Sequence, residues 1–202
     1  MKKMIYSVDN CEFENIEIHN PIKTDENNYQ SKLSFYIQTP KLKIEKISDK
    51  SISLLLGDDF IEVLDKFDNF LIDKISTKSE DFFDNTLTRD EFEDIYKPSY
   101  HKNKMILKFS NDINIYSNQK KDLKIENLDV DNEIIAIINC SKIIYHKSYC
   151  FPYWEIEQIK LKKKKELKNN LDCSSYLFLE DNAEKVNEDN DLIKLKSIDF
   201  KK

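Results

Sequence analysis

Short alternating runs of apolar and polar side chains recur along most of the chain. Leu33, Phe35 and Ile37 share one parity, as do Met105, Leu107 and Phe109, and Ile113 and Ile115 repeat the pattern briefly. Side chains on a strand point to opposite faces in turn, so each run predicts a half-buried strand. Ile134-Ile135-Ala136-Ile137-Ile138 has no polar parity and predicts a central strand covered on both sides. Trp154, Ile156 and Gln158 alternate with Glu155, Glu157 and Ile159, which predicts a strand with one partly polar face. Phe13, Ile16 and Ile18, ahead of Asn20-Pro21, predict a first strand carrying a bulge.

A different period interrupts the strands. Phe60, Val63, Leu64, Phe67, Phe70, Leu71 and Ile75 recur at three- and four-residue steps, the spacing of one helix face. This predicts a helix over 59–75, packed across the strands by Phe60, Leu64, Phe67 and Leu71, with Asp59 and Glu62 in a capping arrangement. Gly57 ends the strand before it, at 51–56. Thr88 and Glu91 form the S/T-x-x-E signature of a second, shorter helix, which Lys97-Pro98 stops. From Asn169 the periodicity weakens. Residues 180–191 hold six acids and one lysine without an apolar face, which predicts a flexible tail with a docking segment at 192–200. The organisation expected is a domain at 1–168 with a helical insertion at about 58–97, then a tail at 169–202 that is acidic and afterwards basic. The fold class is mainly β (α+β).

Composition narrows the function. The chain has one glycine, Gly57, and one arginine, Arg89. Phosphate-cradling loops need several glycines so that backbone N–H groups can reach the ligand, so a Walker loop, a dinucleotide fingerprint and a kinase-type lid are excluded. No G-x-S-x-G accompanies the histidines His19, His101 and His146, and the loose spacing of Cys140, His146 and Cys150 lacks a C-x-x-C pair. The acids at 80–94 sit on a surface where close carboxylates arise by chance. No catalytic residue, metal or cofactor is expected. Lys2-Lys3 has no apolar run behind it and no stretch is long enough for a membrane helix, which, with cysteines at 11, 140, 150 and 173 in no paired spacing, predicts an intracellular protein with reduced thiols.

The net charge of −6 is unevenly divided. Residues 58–94 carry 13 acids against 4 bases, whereas residues 95–179 carry 15 lysines against 10 acids. In that basic half, Lys160, Lys162, Lys163, Lys164, Lys165 and Lys168 crowd together. Such a run serves either as a solvated strand end or as a track for a polyanion, which it would bind by displacing counterions. Just before it lies the densest aromatic segment, Tyr145-His146-Lys147-Ser148-Tyr149-Cys150-Phe151-Pro152-Tyr153-Trp154. Rings there belong to a core or to a platform on which bases stack, with lysines reaching phosphates. The candidate nucleic-acid-binding residues are Tyr145, Lys147, Tyr149, Phe151, Tyr153, Trp154, Lys160, Lys162, Lys163, Lys164 and Lys165.

Phe35-Tyr36-Ile37-Gln38-Thr39-Pro40-Lys41-Leu42, the helix from Asp59 and the closing segment 131–161 give an order of strands and helices that resembles a known family. It is similar to the single-stranded DNA-binding proteins of T7-type phages and their relatives in large nucleocytoplasmic DNA viruses. The resemblance implies an OB-fold-like antiparallel barrel with a helical insertion and a C-terminal tail, non-enzymatic binding of single-stranded DNA, and support of viral DNA replication, recombination or repair. It also implies a place in the host cytoplasm or at a viral replication site, and replication proteins as partners of the tail. Here Leu192–Lys202 turns basic again after Asp191, and the family's loop glycines are absent. A virion structural or assembly component, using the same barrel to pack against other proteins, is the alternative function.

Overall fold

A computed structural model describes residues 4–83, 86–146 and 148–162, all within the compact unit Met1–Lys165. Lys147, Lys163, Lys164, Lys165 and the expected tail lie outside the described residues. Strands β1 (Ile5–Ser7), β2 (Ile22–Lys23), β3 (Asn28–Gln38), β4 (Leu42–Ile47) and β5 (Ser51–Leu55) precede helices α1 (Asp58–Thr77), α2 (Ser79–Phe83) and α3 (Arg89–Ile95). Strands β6 (Lys104–Tyr116), β7 (Asp122–Leu123), β8 (Glu133–His146) and β9 (Tyr149–Lys162) follow, with a 3-10 turn (Ile125–Asn127) before β8.

Five strands close an OB-fold-like barrel in the order β4-β5-β6-β9-β8, and β4 returns to β8 with Leu42 opposite Ile134. Four seams are antiparallel and the β6–β9 seam is parallel. A ring with an odd number of strands cannot alternate direction all the way round, so one parallel seam is forced in the barrel expected to be antiparallel. Outside the ring, β3 continues along β8 beyond β4. Thr39 joins the two ladders: its N–H donates to the Ala136 carbonyl (2.8 Å) and its hydroxyl accepts the Ala136 N–H (2.9 Å).

The apolar parities become the core. Leu33, Phe35, Ile37, Met105, Leu107, Ile134, Ala136, Ile138, Trp154 and Ile156 are buried, together with Phe60, Leu64, Phe67 and Leu71 of α1. α1 seats on this face through Phe67, whose ring stacks on Phe35 at 4.8 Å and meets Trp154 at 5.1 Å. Asp58 and Asp59 suit the positive end of α1, but the residue before the helix is Gly57 and no side chain caps it, so the expected Asp59–Glu62 cap is corrected. The Thr88–Glu91 capping box is present and starts α3.

Three other expectations change. Phe13, Ile16 and Ile18 form no strand; Ile16 and Ile18 are buried from an irregular segment, turned by the Ile16 N–H to Phe13 carbonyl bond (2.9 Å). Ile135 and Ile137 are only half-buried, so β8 is covered on one face rather than two. On β9 the ladder shifts register beyond Ile156, so Ile159 rather than Gln158 continues the buried face.

Candidate nucleic-acid interface

The β8–β9 hairpin divides the aromatic segment between two faces. Residues opposite each other on paired strands share a face, and the register places Tyr145 against Cys150, Ile143 against Pro152 and Cys140 against Trp154 on the inner side. His146 against Tyr149, Ile144 against Phe151 and Lys142 against Tyr153 lie on the outer side. The shift between Cys140 and Lys142 lets both Trp154 and Tyr153 find partners of their own kind, apolar inside and basic outside.

The outer rings form a ladder. Tyr149, Phe151 and Tyr153 are half-buried at every second residue, a repeat of about 6.6 Å along a strand. The His146 imidazole extends the row by stacking on Tyr149 at 4.6 Å and 16°. Tyr149 and Phe151 stand 6.0 Å apart.

A groove of about 470 Å³ runs along this ladder. Its opposite wall is the loop 97–101 with Lys104, Ile106 and Lys108 of β6. The groove exists because β6 and β9 pair only from Lys108 and Glu155 onward, leaving their first halves unpaired with each other. Ile106 is 67% exposed there, an apolar side chain between Lys104 and Lys108 on the same wall. The Lys97 backbone N–H donates to the Cys150 carbonyl (2.8 Å), tying the loop to β9. Its ammonium lies 3.6 Å from the Tyr149 centroid, and the Lys142 ammonium lies 4.5 Å from that of Tyr153. Each ammonium rests on the electron-rich face of a ring.

Beneath the groove a chain of hydrogen bonds fixes the wall. The Trp154 indole N–H donates to the Ser99 hydroxyl (2.9 Å), which donates to Asp68 Oδ1 (2.6 Å). The Ser99 backbone N–H donates to Asp68 Oδ2 (2.8 Å) and the Tyr96 hydroxyl donates to Oδ1 (2.7 Å). Burial pushes the Asp68 carboxyl up to about 6 against the lowering effect of these donors. Burial also raises Tyr96 well above the usual phenol range.

The structure thus brings Tyr149, Phe151 and Tyr153 together on one open face. Tyr145 (5% exposed) and Trp154 (4% exposed) belong to the core: Trp154 meets Phe67 of α1, and Tyr145 packs edge-on against Phe83 of α2 at 5.2 Å. Direct stacking on these two is therefore corrected. Lys160 and Lys162 lie on β9 about 23 and 30 Å past Tyr153. Lys160 lines a second groove of about 390 Å³ with Gln38, Tyr116, Lys120, Ile135 and Ile137. Sequence reasoning missed Lys97, Lys108, Lys142 and Ile106. Counting back from the His146–Tyr149 pair would have matched Lys142 with the ring stripe, whereas Lys97 and Lys108 arrive only through barrel closure. Among the described residues no cluster of three or more His, Cys, Asp or Glu could hold a metal ion.

Residues 40–180 match the model of a family of unknown function, DUF5871. The chain belongs to this family. The matched span takes in α1, the loop 97–101, β6, β8 and β9, so the ring ladder and both walls of its groove lie inside the DUF5871 region, while β3 precedes it. No curated protein matches the chain. Among solved structures it is similar to the single-stranded DNA-binding protein from bacteriophage Enc34 in complex with ssDNA, at 12% identity and a TM-score of 0.41 over 76% of this chain and 98% of that one. Another structure of the single-stranded DNA-binding protein from bacteriophage Enc34 gives 12% identity and a TM-score of 0.43, over 78% and 97% of the two chains. Its C-terminal truncation gives 13% and 0.42, over 76% and 96%.

Proposed function

We propose that the protein binds single-stranded nucleic acid on the outer face of β9, without catalysing a reaction. The observation that carries this reading is the ladder Tyr149–Phe151–Tyr153, open along a groove and flanked by Lys97, Lys108 and Lys142, none of which pairs with a carboxylate among the described residues, while Lys104 of the same wall is held by Glu45. Bases splayed from a single strand stack on such rings whatever their identity, because each base has a π-face. The ammonium groups of Lys97 and Lys142, resting on the rings in the free protein, turn to the phosphates as bases take their places. Glu155, held by the Ser141 hydroxyl (2.6 Å), marks the end of the track, since a carboxylate there repels phosphate.

The more specific assignment, to single-stranded DNA during viral replication, recombination or repair inside a host cell, rests on the resemblance in element order. Recruitment of replication proteins by the tail belongs to the same assignment. The test is a titration of labelled oligo-dT at several salt concentrations. Each phosphate neutralised contributes about −0.7 to the slope of log affinity against log salt, so Lys97, Lys108 and Lys142 together predict a slope of about −2. Affinity independent of salt would contradict the reading.

A further inference from the structure

Beside the ring ladder, Lys32 of β3 stands directly opposite Lys142 of β8. Directly opposed residues on antiparallel strands have Cα atoms about 5 Å apart, and like charges so placed destabilise the pair. Three other lysines on or beside this sheet meet acids: Lys41 pairs with Glu133 (3.2 Å), Lys43 with Asp131 (2.8 Å) and Lys104 with Glu45. Neither Lys32 nor Lys142 pairs with a carboxylate among the described residues. Lys32 is exposed, and Lys142 is half-buried with its ammonium 4.5 Å from the Tyr153 centroid. The juxtaposition therefore sits where a backbone phosphate would lie if a base stacked on Tyr153.

We propose that Lys32 and Lys142 form a phosphate clip, in which one phosphodiester of the bound strand sits between two ammonium groups that repel each other in the free protein. The inference rests on the nucleic-acid reading of the groove and adds the course of the strand: its backbone passes on the β8–β3 side of Tyr153. A phosphate is suited to this position because its anionic oxygens accept from both ammonium groups at once, converting a repulsive pair into two charge-assisted hydrogen bonds. Two readouts move in opposite directions. Removing one lysine relieves the free protein and deprives the strand of a contact.

Lys32 is the residue to change, because among the described residues it rests on no ring and its loss leaves the Lys142–Tyr153 contact in place. Lys32→Gln and Lys32→Glu are made in the full chain, then melted without ligand and titrated with labelled oligo-dT across salt. Lys32→Gln is expected to raise the melting temperature, to weaken binding about fivefold at 0.1 M salt, and to flatten the salt slope by part of the roughly 0.7 that one phosphate contributes, since Lys142 keeps its share of that phosphate. Lys32→Glu, which offers Lys142 an opposite charge, is expected to raise melting further and weaken binding more. A melting temperature that falls in Lys32→Gln, or an unchanged salt slope, overturns the clip. If Tyr153→Ala still weakens binding in that case, the groove reading survives and the backbone takes another course. If the wild-type protein does not bind oligo-dT, the groove reading and the clip fall together.

Discussion

Asp68 is the one buried carboxylate among the described residues, and its surroundings explain both its retention and its cost. Tyr96 and Ser99 supply its donors, Asp65 adds a repulsive charge, and the thiols of Cys140 and Cys150 and the Tyr100 phenol are near enough to be coupled to it. The carboxyl titrates near its ordinary 3.8 in the unfolded chain and at about 6 when folded. Between those values the folded protein keeps a proton that the unfolded chain has released, so this group's contribution to stability falls as pH rises from about 4 to about 6 and is level above. The loss corresponds to about 3 kcal/mol. Glu91, lowered chiefly by the Thr88 backbone N–H, and Asp25, lowered chiefly by the Asn28 amide, give the opposite slope at lower pH. The comparison that isolates Asp68 is therefore between the parent and Asp68→Asn in urea unfolding from pH 4 to pH 8. The difference between the two curves should change across pH 4–6 and stay constant above 7; a difference independent of pH would remove Asp68 from this role.

At the scale of elements, α1 and α3 do different work. α1 closes the core: Leu64, 1% exposed, sits among buried residues, and Leu64→Ala is expected to cost about 2–5 kcal/mol in chemical unfolding. A loss below about 0.5 kcal/mol would move this helix face to the surface. α3 instead sets the loop that walls the groove, since Tyr96 and Ser99 follow it directly. Thr88→Ala removes its cap and is expected to cost about 1 kcal/mol. These two helices were legible in the sequence because helical periodicity and the S/T-x-x-E box are local signals. The short α2 was not, nor was the split of Ile134–Ile138 into a buried and a half-exposed parity. An all-apolar run carries no sign of which face lacks a covering layer. The segment 13–18 failed for a related reason: apolar side chains anchor an irregular chain to a core as well as they anchor a strand.

For the whole molecule, the order of strands was readable and the barrel follows from it, but the site was readable only in part. Tyr149 and Tyr153 were legible as outward rings from the lysine, serine and proline around them, whereas Phe151 was open between core and surface. Tyr145 and Trp154 shared their composition and differed only in the face they occupy, which the register decides. The lysine run from Lys160 drew attention as the densest charge in the sequence, yet Lys160 and Lys162 stand about 23 and 30 Å along β9 from the nearest ring, Tyr153. The basic residues that flank the ladder come from β3, β6, β8 and the loop 97–101, and no local pattern joins them. A protein of net charge −6 thus gathers a basic, ring-lined groove by folding, while the acids of 58–94 lie largely on the helices.

The central claim is that the outer rings of β9 are a stacking platform, and alanine substitution at Tyr149 and Tyr153 tests it most directly. Each ring is worth about 1–3 kcal/mol in stacking, so Tyr149→Ala and Tyr153→Ala should each weaken oligo-dT binding about 5- to 150-fold in an anisotropy titration. Both rings lie outside the core, so melting should show folded variants. Folded variants that bind oligo-dT as tightly as the parent would contradict the account.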